Sequence, residues 1–257
     1  MPINTIDDVI ASLDAIIQKA WDEKSRLGYF PALYRRVTRA VKNGIVCKQF
    51  SDCSRMETLD VVFATRYLDA YNAFQANQRL SHCWNIPFRA SADDSHLILQ
   101  HLLAGINAHI NLDLGVASAL VSPGDQLPGL KADFDEINTV LAAQVGSVEN
   151  EMSAVSPLIK DLSKVGLKTE TTLINFNIDL ARKAAWFTAQ RLASEPVILH
   201  EVTIDGLDLA VSLEGRAILY PPFKGDALAA IRAAEVQDVR KVIEILANDP
   251  ATAPVTG

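Results

Sequence analysis

Five polar residues sit within one short apolar stretch of this chain: His101, Asn107, His109, Asn111 and Asp113. The stretch reads as one helix, and its apolar residues point in nearly every direction on a helical wheel. A helix that is apolar all round is a buried one. Burying an imidazole, an amide or a carboxylate without a partner costs several kcal/mol. The motif therefore marks either a structural polar network or the floor of an active site. His109 and Asp113 lie one turn apart, ~6 Å along the axis and on nearly the same face. Such a pair suits a carboxylate that orients an imidazole for proton transfer, or two ligands of one metal ion. His101 lies ~12 Å from His109 and ~18 Å from Asp113 along the axis, too far to share one mononuclear shell with both. Asn107 and Asn111 form a second one-turn pair, rotated away from Asp113.

A second stretch, roughly Ser54 to Asn77, carries Glu57, Asp60, Arg66, Tyr67 and Asp69 on a mostly apolar helix. Asp60 and Tyr67 lie two turns apart on one side, Arg66 and Asp69 on another, and Glu57 one turn before Asp60. If this helix packs against the motif helix, Glu57 or Asp60 completes a site around His109 and Asp113. Arg66 with Asp69 is read as a buried ion pair, with an anion-binding arginine as the other reading. Arg35 and Arg182 are read as surface salt-bridge residues, and His101 as a core histidine. Phe63, Trp186 and Phe187 are read as core before pocket lining.

The elements that position these residues are helical throughout. Thr5 reads as an N-cap, with Asp7 and Asp8 in the first turn of an amphipathic helix ended by Gly28. A second helix begins near Pro31; whether Tyr34, Arg35 and Arg36 face inward is open. Trp84, Pro87 and Phe88 read as a loop, after which Asp93 or Asp94 caps the motif helix. Ser122-Pro-Gly-Asp-Gln-Leu-Pro-Gly is a break. Further helices follow from about Ala132, from Thr169 to Ala193 with Leu173 and Phe176, from Leu207 to Ile218, and from Asp226 to Ala247. Val197 to Thr203 reads as a short extended segment. The expected fold is a single all-α domain over residues 1–247. It is a bundle of seven or eight main helices with two largely buried central ones, followed by a frayed tail over 248–257.

The chain resembles an uncharacterised bacterial all-helical family, a domain of unknown function. The likeness rests on Leu27-Gly-Tyr-Phe30 through Leu33-Tyr-Arg-Arg-Val-Thr38, and on Arg55-Met-Glu57 through Arg66-Tyr-Leu-Asp-Ala70. It continues in Leu99-Gln-His-Leu-Leu103 and in Asn107-Ala-His-Ile-Asn-Leu-Asp-Leu114. The resemblance implies an all-helical fold and no assigned reaction. The spacing His109-x3-Asp113 after a glycine is also similar to helices of zinc-dependent phospholipase C-type hydrolases. No HxxxE pair accompanies it, and no second helix supplies two histidines.

Composition narrows the function classes. Hydrophobic residues make up 49% and charged residues 21% of the 257-residue chain, ordinary for a folded protein. A net charge of −7 and the lack of any Lys/Arg run longer than a pair argue against a nucleic-acid partner. The opening residues carry no signal-peptide pattern, and no apolar run approaches the ~20 residues of a membrane span. Cys47, Cys53 and Cys83 show no CxxC spacing, which points to a reducing, cytoplasmic compartment. P-loop, GxGxxG, GxSxG, HExxH, EF-hand and di-iron ExxH motifs are absent.

The sequence thus points to a biosynthetic-type enzyme acting on a small, largely apolar molecule by cyclisation, isomerisation or hydrolysis. His109 would be the acid or base, oriented by Asp113. Asn107, Asn111 and Tyr67 would hold a substrate oxygen, and Arg66 would balance a carboxylate or enolate. No cofactor is assigned. In the metal-dependent alternative a divalent ion is held by His109, Asp113 and Glu57 or Asp60. In the non-enzymatic alternative the polar spine belongs to a binding or scaffold protein.

Overall fold

The computed structural model describes residues 3–158, 177–221 and 226–248. Among these residues there are eleven α-helices and no strand, so the all-α expectation holds with more helices than the seven or eight expected. The helices are α1 (Ile6–Glu23), α2 (Tyr29–Val46), α3 (Cys53–Gln75), α4 (His82–Ala90), α5 (Ile98–Ala108) and α6 (Gly115–Val121). They continue with α7 (Leu127–Val155), α8 (Ile178–Ser194), α9 (His200–Leu219), α10 (Asp226–Ala234) and α11 (Val239–Ala247). The expected helix over Thr169–Phe176 and the tail beyond Asn248 lie outside the described residues.

The motif helix is the axis of the molecule. From Ile98 to Val121 the backbone stays helical, but His109–Leu114 winds as a π-helical segment between α5 and α6. Widening a turn to i→i+5 bonding is rare and is frequently found at functional sites. This rod is buried along most of its length, as its all-round apolar pattern requires. α3 is buried along one side only: Thr58, Asp69 and Asn72 are exposed. Of the two central helices expected, the motif helix is therefore the more deeply buried among the described residues.

Around that rod, α4 and α9 pack on α5, α8 packs on the π segment and α6, and α2 and α3 close the remaining side. α11 packs against α2 and α7. Gly115 permits the close approach of α8: a Cβ there would lie 2.7 Å from the Ala185 carbonyl oxygen and from Thr188.

Several boundaries depart from the sequence reading, each for a tertiary reason. Thr5 does cap α1, in a reciprocal capping box with Asp8. The α5 N-terminus is set not by Asp93 or Asp94 but at Leu97, where Glu235 accepts the Ile98 N–H with both carboxylate oxygens at 3.1 and 3.2 Å. Trp84, Pro87 and Phe88 lie on α4 rather than in a loop. Asp208 of α9 accepts the His82 and Cys83 N–H groups at 2.6 and 2.8 Å, and the Trp84 and Phe88 rings stack 5.2 Å apart. α7 starts at Leu127 inside the expected break, because Pro128 suits a first helical turn. Val197–Leu199 is a single 3₁₀ turn leading into α9, not an extended segment. The expected last helix is two, divided at Glu235–Asp238.

Two arginines assigned to the surface or left open are buried. Arg36 pairs with Glu151. Arg182 donates to the Phe134 carbonyl and to Asn138 while lying over the Phe134 ring. Arg35 does form the expected kind of surface pair, with Asp14.

The Gly115 contact gives a direct check on the packing of the rod against α8. Gly115→Ala forces a methyl against a backbone carbonyl that cannot swing away. We expect it to lower unfolding stability by about 1–3 kcal/mol in urea denaturation, despite alanine's higher helix propensity.

Candidate active site

Asp113 is the hub of the buried polar network. It is 1% exposed, and three side chains from three elements converge on its carboxylate. Arg66 Nε of α3 donates to Oδ1 at 2.8 Å, and Trp84 Nε1 of α4 donates to Oδ2 at 2.8 Å. His109 Nδ1, one turn earlier on the π segment, lies 3.4 Å from Oδ2. The last contact is longer than a tight N–H···O bond, and catalytic hydrogen bonds of unliganded sites are often long. Arg66 therefore pairs with Asp113 and not with Asp69, which is exposed. The expected packing of α3 against the motif helix is present, and Arg66 is the residue that makes it polar.

His109 lies inside an aromatic cage. Its ring stacks face to face on Phe63 with centroids 3.6 Å apart and planes 9° from parallel. Tyr34 meets it edge-on at 4.5 Å, Phe30 at 5.6 Å and Tyr67 at 6.3 Å, with Trp84 tilted at 5.9 Å. Burial in this cage lowers the His109 pKa, against the raising effect of Asp113, so the ring is held neutral. With Nδ1 facing a carboxylate, the network assigns the proton to Nδ1 and leaves Nε2 as the lone-pair nitrogen. His109 Nε2 is buried and has no hydrogen-bond partner among the described residues. The Tyr67 hydroxyl and Asp60 Oδ2 are in the same condition, and the Tyr34 hydroxyl has Thr38 beside it.

These four atoms belong to one neighbourhood. The Tyr34 and Tyr67 rings lie 6.1 Å apart and both touch His109. The Tyr34 hydroxyl is pushed well above its ordinary pKa, first by burial and then by the charges of Asp60 and Asp113. Asp60 itself is pushed up to about 7, mainly by burial and further by the neighbouring Glu57 charge. Phe63 and Arg66 are partly exposed, so the cage approaches solvent along α3.

Other expected site residues go elsewhere. Asn107 donates to the Val211 carbonyl at 2.9 Å, and Asn111 donates to Asn107 Oδ1 at 2.9 Å and to Glu214 at 3.3 Å. Both asparagines thus bond toward α9 and tie the rod to it; the structure does not bring them to His109. Glu57 accepts the Ile6 N–H at 3.4 Å, at the start of α1, and does not join the Asp113 cluster. Among the described residues no three His, Cys, Asp or Glu side chains converge to hold a metal ion. The metal-ligand set His109, Asp113, Asp60 and Glu57 is therefore not assembled, because the Asp113 oxygens already accept from Arg66 and Trp84.

Sequence reasoning missed Tyr34, Trp84, Phe30 and Phe63 as site residues. Phe63 lies one turn before Arg66 and Tyr67, and that spacing was the one signal pointing to it. The roles of Tyr34 and Trp84 depend on how α2 and α4 dock.

Fold and site together define an all-α protein with a buried histidine–aspartate pair inside an aromatic cage. The model of DUF5995, a family of unknown function, matches residues 6–221, and the chain belongs to that family. Neither a curated protein nor a solved structure matches it. No helix among the described residues is long and apolar enough to cross a membrane.

Two measurements probe this arrangement. Trp84→Phe keeps an aromatic ring but removes the donor to Asp113 and part of the buried indole volume; we expect a loss of at least about 1.5–3 kcal/mol in unfolding stability, the hydrogen bond to a charged group setting the lower bound. Asp60 supplies a pH test. Its folded pKa of about 7 lies above the 3.8 of an ordinary aspartate carboxyl, so its favourable contribution is full below pH ~4 and is lost as pH rises to ~7. Relative to wild type, Asp60→Asn should become progressively more stable across that window, by at most ~4 kcal/mol, and level off above it. A pH-independent difference in denaturation midpoint would contradict the burial argument.

Proposed function

We propose that this protein is an enzyme that acts on a small, largely apolar molecule by metal-free acid–base chemistry. The single observation that carries the reading is the two-sided environment of His109. Its Nδ1 faces a carboxylate anchored by Arg66 and Trp84, while its Nε2 is buried with no protein partner. A buried imidazole with one nitrogen oriented and the other uncommitted has the form of a general base. Leaving that nitrogen unpaired costs stability, and a substrate proton would satisfy it.

In this reading Nε2 takes a proton from a carbon or hydroxyl of the substrate. The imidazolium so formed is stabilised by Asp113, and the same proton is returned to another position of the substrate or to a leaving group. Asp113 orients the ring and does not itself transfer the proton. Tyr67 and Tyr34 place hydroxyls on rings that touch His109, where they can donate to a developing oxyanion. The aromatic cage supplies the apolar surroundings that strengthen these interactions. The chemistry suits cyclisation, isomerisation or hydrolysis. A cytoplasmic setting and a small-molecule rather than nucleic-acid partner go with this proposal; three free cysteines and the net charge of −7 support them.

A scaffold role is the second reading, favoured by one observation: the Asp113 contacts tie α3 and α4 to the central rod. The two readings separate on His109, whose removal leaves the Arg66 and Trp84 bonds intact. Wild type and His109→Gln would be incubated with a small-molecule metabolite extract, and consumption followed by mass spectrometry. We expect a substrate depleted by wild type and spared by at least ~100-fold in His109→Gln, with melting temperatures that agree closely. Equal depletion by both proteins would remove His109 from the chemistry, and depletion by neither would favour the scaffold.

A further inference from the structure

α9 has two apolar faces. One packs on α4 and α5 and carries the buried Thr203, Val211, Gly215 and Ile218. The other points to solvent. From the cap residue Leu199 to the cap residue Tyr220, it carries Val202, Leu209 and Leu213, spaced so that all five side chains fall on one stripe. They are between 47% and 71% exposed, whereas a surface helix ordinarily turns a polar face outward. A contiguous exposed apolar stripe marks a contact surface.

The spacing is that of a helix that pairs with a helix. Leu199, Gly206, Leu213 and Tyr220 share one position of a heptad, and Val202, Leu209 and Arg216 share the other. Gly206 is exposed in the middle of the stripe, and a Cβ added there would meet nothing within 4 Å. Glycine inside a helix costs ~1 kcal/mol relative to alanine, and no packing among the described residues asks for it here. Asp205 and Arg216 flank the stripe on the same side, three turns apart. Both are exposed, and neither makes an ion pair or a side-chain hydrogen bond among the described residues. The charged residues exposed on α9 are Glu201, Asp205, Glu214 and Arg216. Three acids to one base is the reverse of the cationic rim of a helix that lies on a lipid surface.

We propose that two copies of this chain form a symmetric dimer by pairing their α9 helices antiparallel along this stripe. A twofold axis across the helices sets Leu209 against Leu213 of the partner subunit and Val202 against Tyr220 of the partner subunit. Gly206 then faces Arg216 of the partner subunit, and the space left by the missing side chain lets that arginine cross to Asp205. In an antiparallel pair the same flank of each helix meets, so the Asp205–Arg216 contact forms twice. A parallel pair would set each charge level with its own copy and on opposite flanks. The paired stretch from Val202 to Tyr220 is ~27 Å long. Covering these half-exposed side chains buries on the order of 1,200 Å² over both subunits, the lower edge of stable interfaces. The dimer is therefore reversible, and nothing in the pairing depends on the role of His109.

The test is sedimentation equilibrium of the full chain at neutral pH, over concentrations of about 1–200 µM. We expect a monomer–dimer equilibrium with a dissociation constant of ~1–50 µM. Leu213→Glu sets a charge in the middle of the stripe and should weaken dimerisation at least ~30-fold. That side chain is exposed in the single chain, so the melting temperature of the monomer should not change. Asp205→Arg and Arg216→Asp should each weaken dimerisation ~3–10-fold, and the two together should restore it. A chain that stays monomeric throughout overturns the proposal; flotation of that monomer with phosphatidylcholine vesicles would assign the face to a membrane instead. A dimer that Leu213→Glu leaves intact, or a double exchange no stronger than either single one, overturns it too.

Discussion

Burying the Asp113 carboxylate at 1% exposure is the constraint around which this structure is arranged. A carboxylate in that position is tolerable only if its oxygens are filled by donors, and removing the charged partner of such a buried ion pair typically costs 3–5 kcal/mol. The donors come from α3 through Arg66 and from α4 through Trp84, so satisfying one side chain fixes where two helices lie against the central rod. The same demand sets the orientation of His109, whose Nδ1 takes the remaining approach to Oδ2. The π segment that holds both residues is the local deviation that accompanies this arrangement.

The same solution recurs at three helix starts. The free N–H groups at the beginning of α4 and α5 are met by carboxylates from remote parts of the chain, Asp208 and Glu235. Just before α3, the Ser51 and Asp52 N–H groups donate to Asp133 of α7. A carboxylate at a helix N-terminus both fills an orphan donor and meets the positive end of the helix dipole. Each of these acids is itself buried. These long-range caps join α3 to α7, α4 to α9, and α5 to the α10–α11 connection, so the helices are fixed to one another by polar contacts as well as by apolar packing.

The aromatic residues divide the interior into two polar compartments. One holds His109, Asp113, Tyr34 and Asp60; the other is a small cavity with Arg26 and His101. Phe30, Tyr67 and Trp84 form the wall between them. Both compartments contain buried polar atoms without protein partners, which native interiors rarely keep in clusters.

What the sequence determined by itself was local. The all-α class, the buried motif helix and the nearness of His109 to Asp113 all follow from helical spacing, because residues four apart share a face whatever the rest of the chain does. The Thr5 cap and the helix break near Ser122 were legible for the same reason. Tertiary structure decided what depends on docking. Arg66 chose Asp113 over Asp69 because α3 presents it to the rod, and the asparagine pair turned to α9 because its side of the rod faces that helix. Trp84 and Tyr34 entered the site through the positions of α4 and α2. α5 begins at Ile98 because a glutamate more than a hundred residues away accepts its first N–H. Sequence pattern carries the period of a helix, whereas partnership between helices is set by which buried polar groups can satisfy one another in three dimensions.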